Sequence, residues 1–113
     1  MIRLNATLCP GEPSNPPADR IIRGDPQATV QAQHESADGK FHVGIWTCSP
    51  GRWRIRYDEQ EYCRILSGTG AVIDSAGKVH TLAAGDEIVI PPGFVGEWDV
   101  TETMTKTYVI SLP

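Results

Sequence analysis

The sequence predicts an all-β single domain, an antiparallel sandwich or barrel, on three observations. Nine runs of five to eight residues with β-type composition follow one another closely from Ala28 onward. The turn signals DGK, SPG, AGK, AAGD and PPG separate many of them. No run reaches the roughly 10 to 12 residues of helical spacing that a helix needs. Parallel strands require long crossovers, and the sequence has none, so the pairing must be antiparallel.

In chain order, residues 1–27 are read as an N-terminal strand followed by a Pro-rich arm, and residues 28–113 as the barrel. The arm, CPGEPSNPPAD over residues 9–19, holds four prolines, one glycine and three helix-disfavouring polar residues, and is expected to be irregular. The predicted strands are ATVQAQHE from Ala28, FHVGIWTC from Phe41, RWRIRYD from Arg52, EYCRILSG from Glu61 and GAVIDS from Gly70. KVHTLA from Lys78, DEIVIP from Asp86, GEWDV from Gly96 and TKTYVIS from Thr105 complete the set.

Side chains alternate between the two faces of a strand, so the faces can be assigned by what an interior tolerates. In RWRIRYD, Trp53, Ile55 and Tyr57 alternate with Arg52, Arg54 and Arg56. Three arginines cannot line a core together without a large desolvation cost, so the aromatic and aliphatic set faces inward. The link DEQ is short, and a hairpin between this strand and EYCRILSG is expected. Placing Arg64 outside with the other arginines puts Glu61, Cys63 and Ile65 inside. By the same parity GEWDV turns Trp98 and Val100 inward, and Glu97 and Asp99 outward toward the arginine face. TKTYVIS keeps Lys106, Tyr108 and Ile110 on one face, without showing which face is inner.

At 113 residues the chain can bury one core without staples, and a second domain does not fit. Fourteen acidic against ten basic side chains give a formal charge of -4, which disfavours nucleic acid and anionic membrane surfaces as partners. Cys9, Cys48 and Cys63 are odd in number, widely separated and free of any CxxC pair, so neither a disulfide framework nor a zinc knuckle is indicated. No secretory signal or run of about 18 apolar residues is present, and a cytoplasmic location is expected.

Two spacings then become recognisable. GRWRIRYDEQEYCRILSG, from Gly51 to Gly68, has a glycine, the inward Glu61 and a closing glycine; GDEIVIPPG, from Gly85 to Gly93, has glycine, five residues, proline, one residue and glycine. These resemble the two signature motifs of the cupin superfamily, which implies a cupin-type jelly-roll barrel of two antiparallel sheets. Trp53, Tyr57, Glu61 and Cys63, with GDEIVIPPGFVGEW and KTYVI, resemble the small single-domain group related to ureidoglycine aminohydrolase and the ethanolamine-utilisation cupin. The likeness spans roughly residues 41–112 and implies a homodimer.

The departures from that pattern bear on chemistry. Metal-binding cupins take two histidines and a glutamate from the first motif and one histidine from the second. Here the first-motif histidine positions fall among Ile55, Tyr57 and Glu59, and the second-motif position is Gly96, so Glu61 alone matches. A catalytic metal normally needs at least three protein ligands. His34, His42 and His80 lie on other strands and are not expected to rebuild a site. Neither a metal nor another cofactor is expected.

An interior glutamate must then be protonated, paired or at a wet mouth. Lys106 is the candidate partner and Tyr57 a candidate donor. One reading is a pocket walled by Trp53, Trp98 and Tyr108, with Cys63 and Lys106 beside Glu61, that binds a small polar metabolite. A second is an enzyme on a ureide, amine or sugar-acid substrate, with Glu61 as general acid or base assisted by Tyr57. A third is a structural or assembly protein in which Glu61 caps the barrel and the aromatics are core. Cys63 is expected to pack inertly, because a neighbouring carboxylate raises a thiol pKa. Trp46 shares a face with Cys48, where an edge or dimer contact explains it as well as a ligand does.

Overall fold

The structure, a computed structural model, describes residues 1–4 and 10–113. Its strands are β1 (Glu12–Pro13), β2 (Ile21–Gly24), β3 (Ala28–Glu35), β4 (Phe41–Cys48) and β5 (Gly51–Arg56). They continue as β6 (Gln60–Asp74), β7 (Val79–Ala83), β8 (Glu87–Ile90) and β9 (Val95–Ser111), with one 3-10 turn at Ala18–Arg20. Residues 5–9, which hold part of the stretch expected to form the N-terminal strand and include Cys9, lie outside the described residues.

Four of the predicted runs fuse into two long strands. EYCRILSG and GAVIDS are one strand, β6, and GEWDV and TKTYVIS are one strand, β9. The residues that read as breaks are irregularities: the β6–β9 register shifts between Ile65 and Ser67, Ser67 and Thr69, and Thr69 and Gly70. Such bulges bend a strand without ending it. Gly68 takes φ +86°, and a Cβ there would lie 2.2 Å from the Thr103 carbonyl oxygen, so the bend needs glycine.

The bends make two sheets from one continuous ladder. In the first sheet, Gln60–Ser67 of β6 pairs with the end of β9 and with β8, and β9 continues outward to β4, β3 and β1. In the second, Gly70–Asp74 of β6 pairs with β7 and with the start of β9, which leads on to β5 and β2. Every pairing is antiparallel. The sheets face each other: Trp46 on the first lies 6.2 Å from Trp53 and 6.0 Å from Trp98 on the second. This is the jelly-roll barrel expected from the sequence.

The expected hairpin between β5 and β6 does not form. β5 pairs with β9 and β2, and the short link carries the chain from one sheet across to the other. A short link permits an arch as well as a hairpin, so length alone could not decide. The link is held by two backbone bonds, Tyr57 N–H to the Phe94 carbonyl at 2.9 Å and Gly93 N–H to the Tyr57 carbonyl at 2.7 Å. The PPG turn of the second motif thereby fixes the backbone of a cavity residue.

The inward assignment nevertheless holds, because it rested on what the arginines require. Trp53 and Ile55 are buried while Arg54 and Arg56 are exposed; Glu61, Cys63 and Ile65 are buried while Arg64 is exposed. Outside, Arg52 pairs with Glu97 and Arg23 with Asp99. The core joins Cys48, Ile65, Trp98, Val100 and Met104 from both sheets.

The Pro-rich arm is pinned at both ends. β1 adds to the β3 edge of the first sheet and β2 to the β5 edge of the second, so the segment between them spans from one sheet to the other. Asn15 Oδ1 accepts from Ala28 N–H at 2.8 Å, and the Arg54 guanidinium donates to the Asp19 carbonyl at 2.8 Å.

Candidate functional site

The two long strands position the polar groups of the interior. Glu61 stands across from Ile110, Cys63 from Tyr108 and Ile65 from Lys106, all on inward faces. Lys106 therefore begins two pairs away from Glu61 and reaches back along β6. Its Nζ lies 3.4 Å from Cys63 Sγ and 3.3 Å from Glu61 Oε2. The ammonium also sits over two indoles, 4.7 Å from the Trp46 ring centre and 4.5 Å from that of Trp98. A buried cation is thus met by a carboxylate, a thiol and two π faces.

Burial, the largest single influence, pulls the Lys106 ammonium down, but the Glu61 carboxylate together with Cys63 and Tyr57 more than offsets it and holds the group above the usual lysine range. For Cys63 the balance goes the other way: burial pushes the thiol up to about 12, and Lys106 offsets this only in part. The Cys63 sulfur accepts from the ammonium, and burial keeps the thiol protonated near neutral pH. Burial also pushes the Tyr57 phenol above its ordinary value, against the pull of Lys106. Tyr57 Oη accepts from the Trp98 indole N–H at 3.1 Å, so its own proton can be given elsewhere.

These groups meet at a cavity of about 660 Å³. Of the seven residues singled out in the sequence, Trp53, Tyr57, Glu61, Trp98, Lys106 and Tyr108 line it. Cys63, wholly buried, lies behind the wall and touches Lys106. Tyr108 is set against Gly44, where a Cβ would come within 2.3 Å of its hydroxyl oxygen.

Sequence reasoning missed three parts of the site. Trp46 lines the cavity between Trp53 and Trp98; its run FHVGIWTC lacks charged alternate residues, so nothing fixed its inner face. His42 also lines the cavity, its Nε2 2.7 Å from the Gly39 carbonyl. Ser14–Pro17 and Arg20 of the arm form part of the wall, which no local pattern announced.

The residues present do not fit the metal site of metal-binding cupins. Of Ile55, Tyr57 and Glu59, Glu59 alone carries a carboxylate and none an imidazole, and Glu61 Oε2 is engaged by Lys106. A Cβ on Gly96 would lie 2.1 Å from the Ile73 carbonyl oxygen, so a histidine there has no room. His34 packs on Phe41, and His80 pairs with Asp74. Among the described residues, no three His, Cys, Asp or Glu side chains gather as a metal would require.

A two-sheet antiparallel barrel with an inward first-motif glutamate and an aromatic cavity defines a cupin. The chain belongs to the EutQ-like cupin domain family, whose model matches residues 35–108. No curated protein matches the sequence. Among solved structures, a DUF861-family protein of unknown function from Pseudomonas syringae pv. tomato superposes with a TM-score of 0.84 at 21% identity, over 96% of this chain and 46% of its own. This chain thus spans about half of that protein. The EutQ protein of Clostridium difficile gives 0.68 at 16% identity, over 88% of this chain and 80% of its own. A DUF861-family protein from Thermotoga maritima gives 0.55 at 33% identity, over 57% of this chain and 73% of its own. No helix among the described residues is long and apolar enough to cross a membrane.

Proposed function

We propose that the cavity binds a small polar metabolite, with the Glu61–Lys106 pair as its polar anchor and Trp46, Trp53, Trp98, Tyr57 and Tyr108 as its walls. The observation that carries this reading is the pair itself, both side chains under a tenth exposed at 3.3 Å. Apolar residues in place of a buried ion pair are often neutral or stabilising, so packing gives little reason for a charged pair. A ligand that needs a donor and an acceptor at fixed positions gives one. The aromatic walls supply apolar area around that polar centre, as small-molecule sites do.

Catalysis is the second reading, and the Tyr57 hydroxyl favours it: a proton held by burial, on a residue lining the same cavity as Glu61. There Glu61 would act as general acid or base and Tyr57 as its assistant. The homodimer implied by the family resemblance belongs to the same proposal, and sedimentation of the purified chain measures it.

A thermal-shift screen of small acids, amines and ureides tests binding. The wild type is expected to give a stabilising hit that Glu61→Gln loses. A silent screen favours the purely structural barrel. Turnover of a hit compound, abolished in Glu61→Gln and reduced in Tyr57→Phe, would establish the catalytic reading.

A further inference from the structure

Hydrogen-bonding capacity at the cavity selects for one kind of ligand. The charged residues that line it are balanced, Lys106 with Glu61 and Arg20 of the arm with Glu59 of the link, since Arg54 and Arg56 stand on the outward face of β5.

Apart from the Glu59 carboxylate, the side-chain hydrogen bonds left available on the lining are mostly donors. The indole N–H groups of Trp46 and Trp53 and the hydroxyl of Tyr108 make no hydrogen bond to any described residue. None is a sealed, unsatisfied group, so solvent reaches each of them. An indole can only donate, and Tyr57 Oη already accepts from Trp98 and has its proton to give. Lys106 directs two of its three N–H bonds to Glu61 and Cys63, which leaves one. The principal acceptor on the wall, Glu61, already receives Lys106.

From this imbalance we infer that the ligand is a small carboxylate with a flat or apolar body. Its oxygens take the donors of Lys106, Tyr57, Tyr108 and the indoles, and its body lies against the aromatic walls. Arg20 of the arm, on the same lining, offers the carboxylate a further positive charge. This inference rests on the binding reading above and adds the chemical class of the ligand.

Three probes of one shape and different charge test it: benzoate, benzamide and benzylamine, titrated calorimetrically into the full chain. Benzoate is expected to bind at least about tenfold more tightly than either of the others, the ratio that one charge-assisted hydrogen bond provides. Arg20→Gln, an exposed substitution that spares the fold, is expected to weaken benzoate several-fold and leave benzamide unchanged. Equal binding of benzoate and benzamide, or preference for benzylamine, overturns the carboxylate assignment while the binding reading stands. Failure of all three probes beside a hit of another class in the wider screen overturns the assignment alone. Failure of both screens removes the binding reading with it.

Discussion

Lys106 and Glu61 are mutually dependent, and single substitutions should show it. Lys106→Met leaves a carboxylate buried without its cation, and is expected to cost about 3–5 kcal/mol in urea unfolding, since breaking a buried pair strands a charge. Lys106→Met combined with Glu61→Leu removes both charges and is expected to recover most of that loss; additive losses would show that the two residues do not interact. Buried ionisable groups also set the alkaline limit. Folding holds Cys63 up to about 12 and Cys48 up to about 11 through burial. Both therefore favour the folded state below the ordinary thiol range and lose that contribution as pH rises toward their folded values. The raised Lys106 and Tyr57 act in the same direction at higher pH. Stability is expected to fall from about pH 9 upward, by roughly 1.4 kcal/mol per pH unit for each group ionised only on unfolding. Urea midpoints across pH 7 to 11 check this, and Cys48→Ala should flatten the early part of the decline.

At the scale of elements, the bend of β6 is the feature on which both sheets depend. Gly68→Ala introduces a Cβ into the Thr103 carbonyl at a positive φ, and is expected to destabilise by about 2 kcal/mol or more. The surface pairs should matter far less: Arg52→Ala is expected to cost under about 1 kcal/mol, because its ion pair with Glu97 is part-exposed. The arm gives a local effect. Asn15→Ala removes the acceptor for Ala28 N–H, and should raise protease cleavage or hydrogen exchange in residues 12–20 while the barrel melts almost unchanged. Unchanged exchange there would show that β1 and the turn hold the arm without Asn15. What could be read at this scale was uneven. The runs from Ala28 and Phe41 match β3 and β4 residue for residue. β6 and β9 were each divided, because a bulge places Ser, Gly and Thr where a turn would also place them.

Across the whole molecule, the sequence announced the barrel and the composition of its hollow better than its connections. Three arginines in strict alternation turned Trp53 inward, and Arg64 did the same for Glu61 and Cys63, since charge is the least tolerated occupant of a core. Strand pairing was not legible: β5 meets β9 across forty-odd residues rather than its neighbour β6, and nothing local distinguishes an arch from a hairpin. Trp46 and the arm stayed out of view for the same reason, being brought to the cavity by pairings distant in sequence. The inner face of the second half of β9 was settled only by the partners that Lys106 finds. The central claim is that this buried pair serves a ligand. The most direct measurement is a thermal-shift titration of wild type and Lys106→Met side by side with a compound that stabilises the wild type. The account predicts a rise in Tm for the wild type and none for the variant, with circular dichroism showing both folded at the start. Equal rises in the two proteins would contradict it.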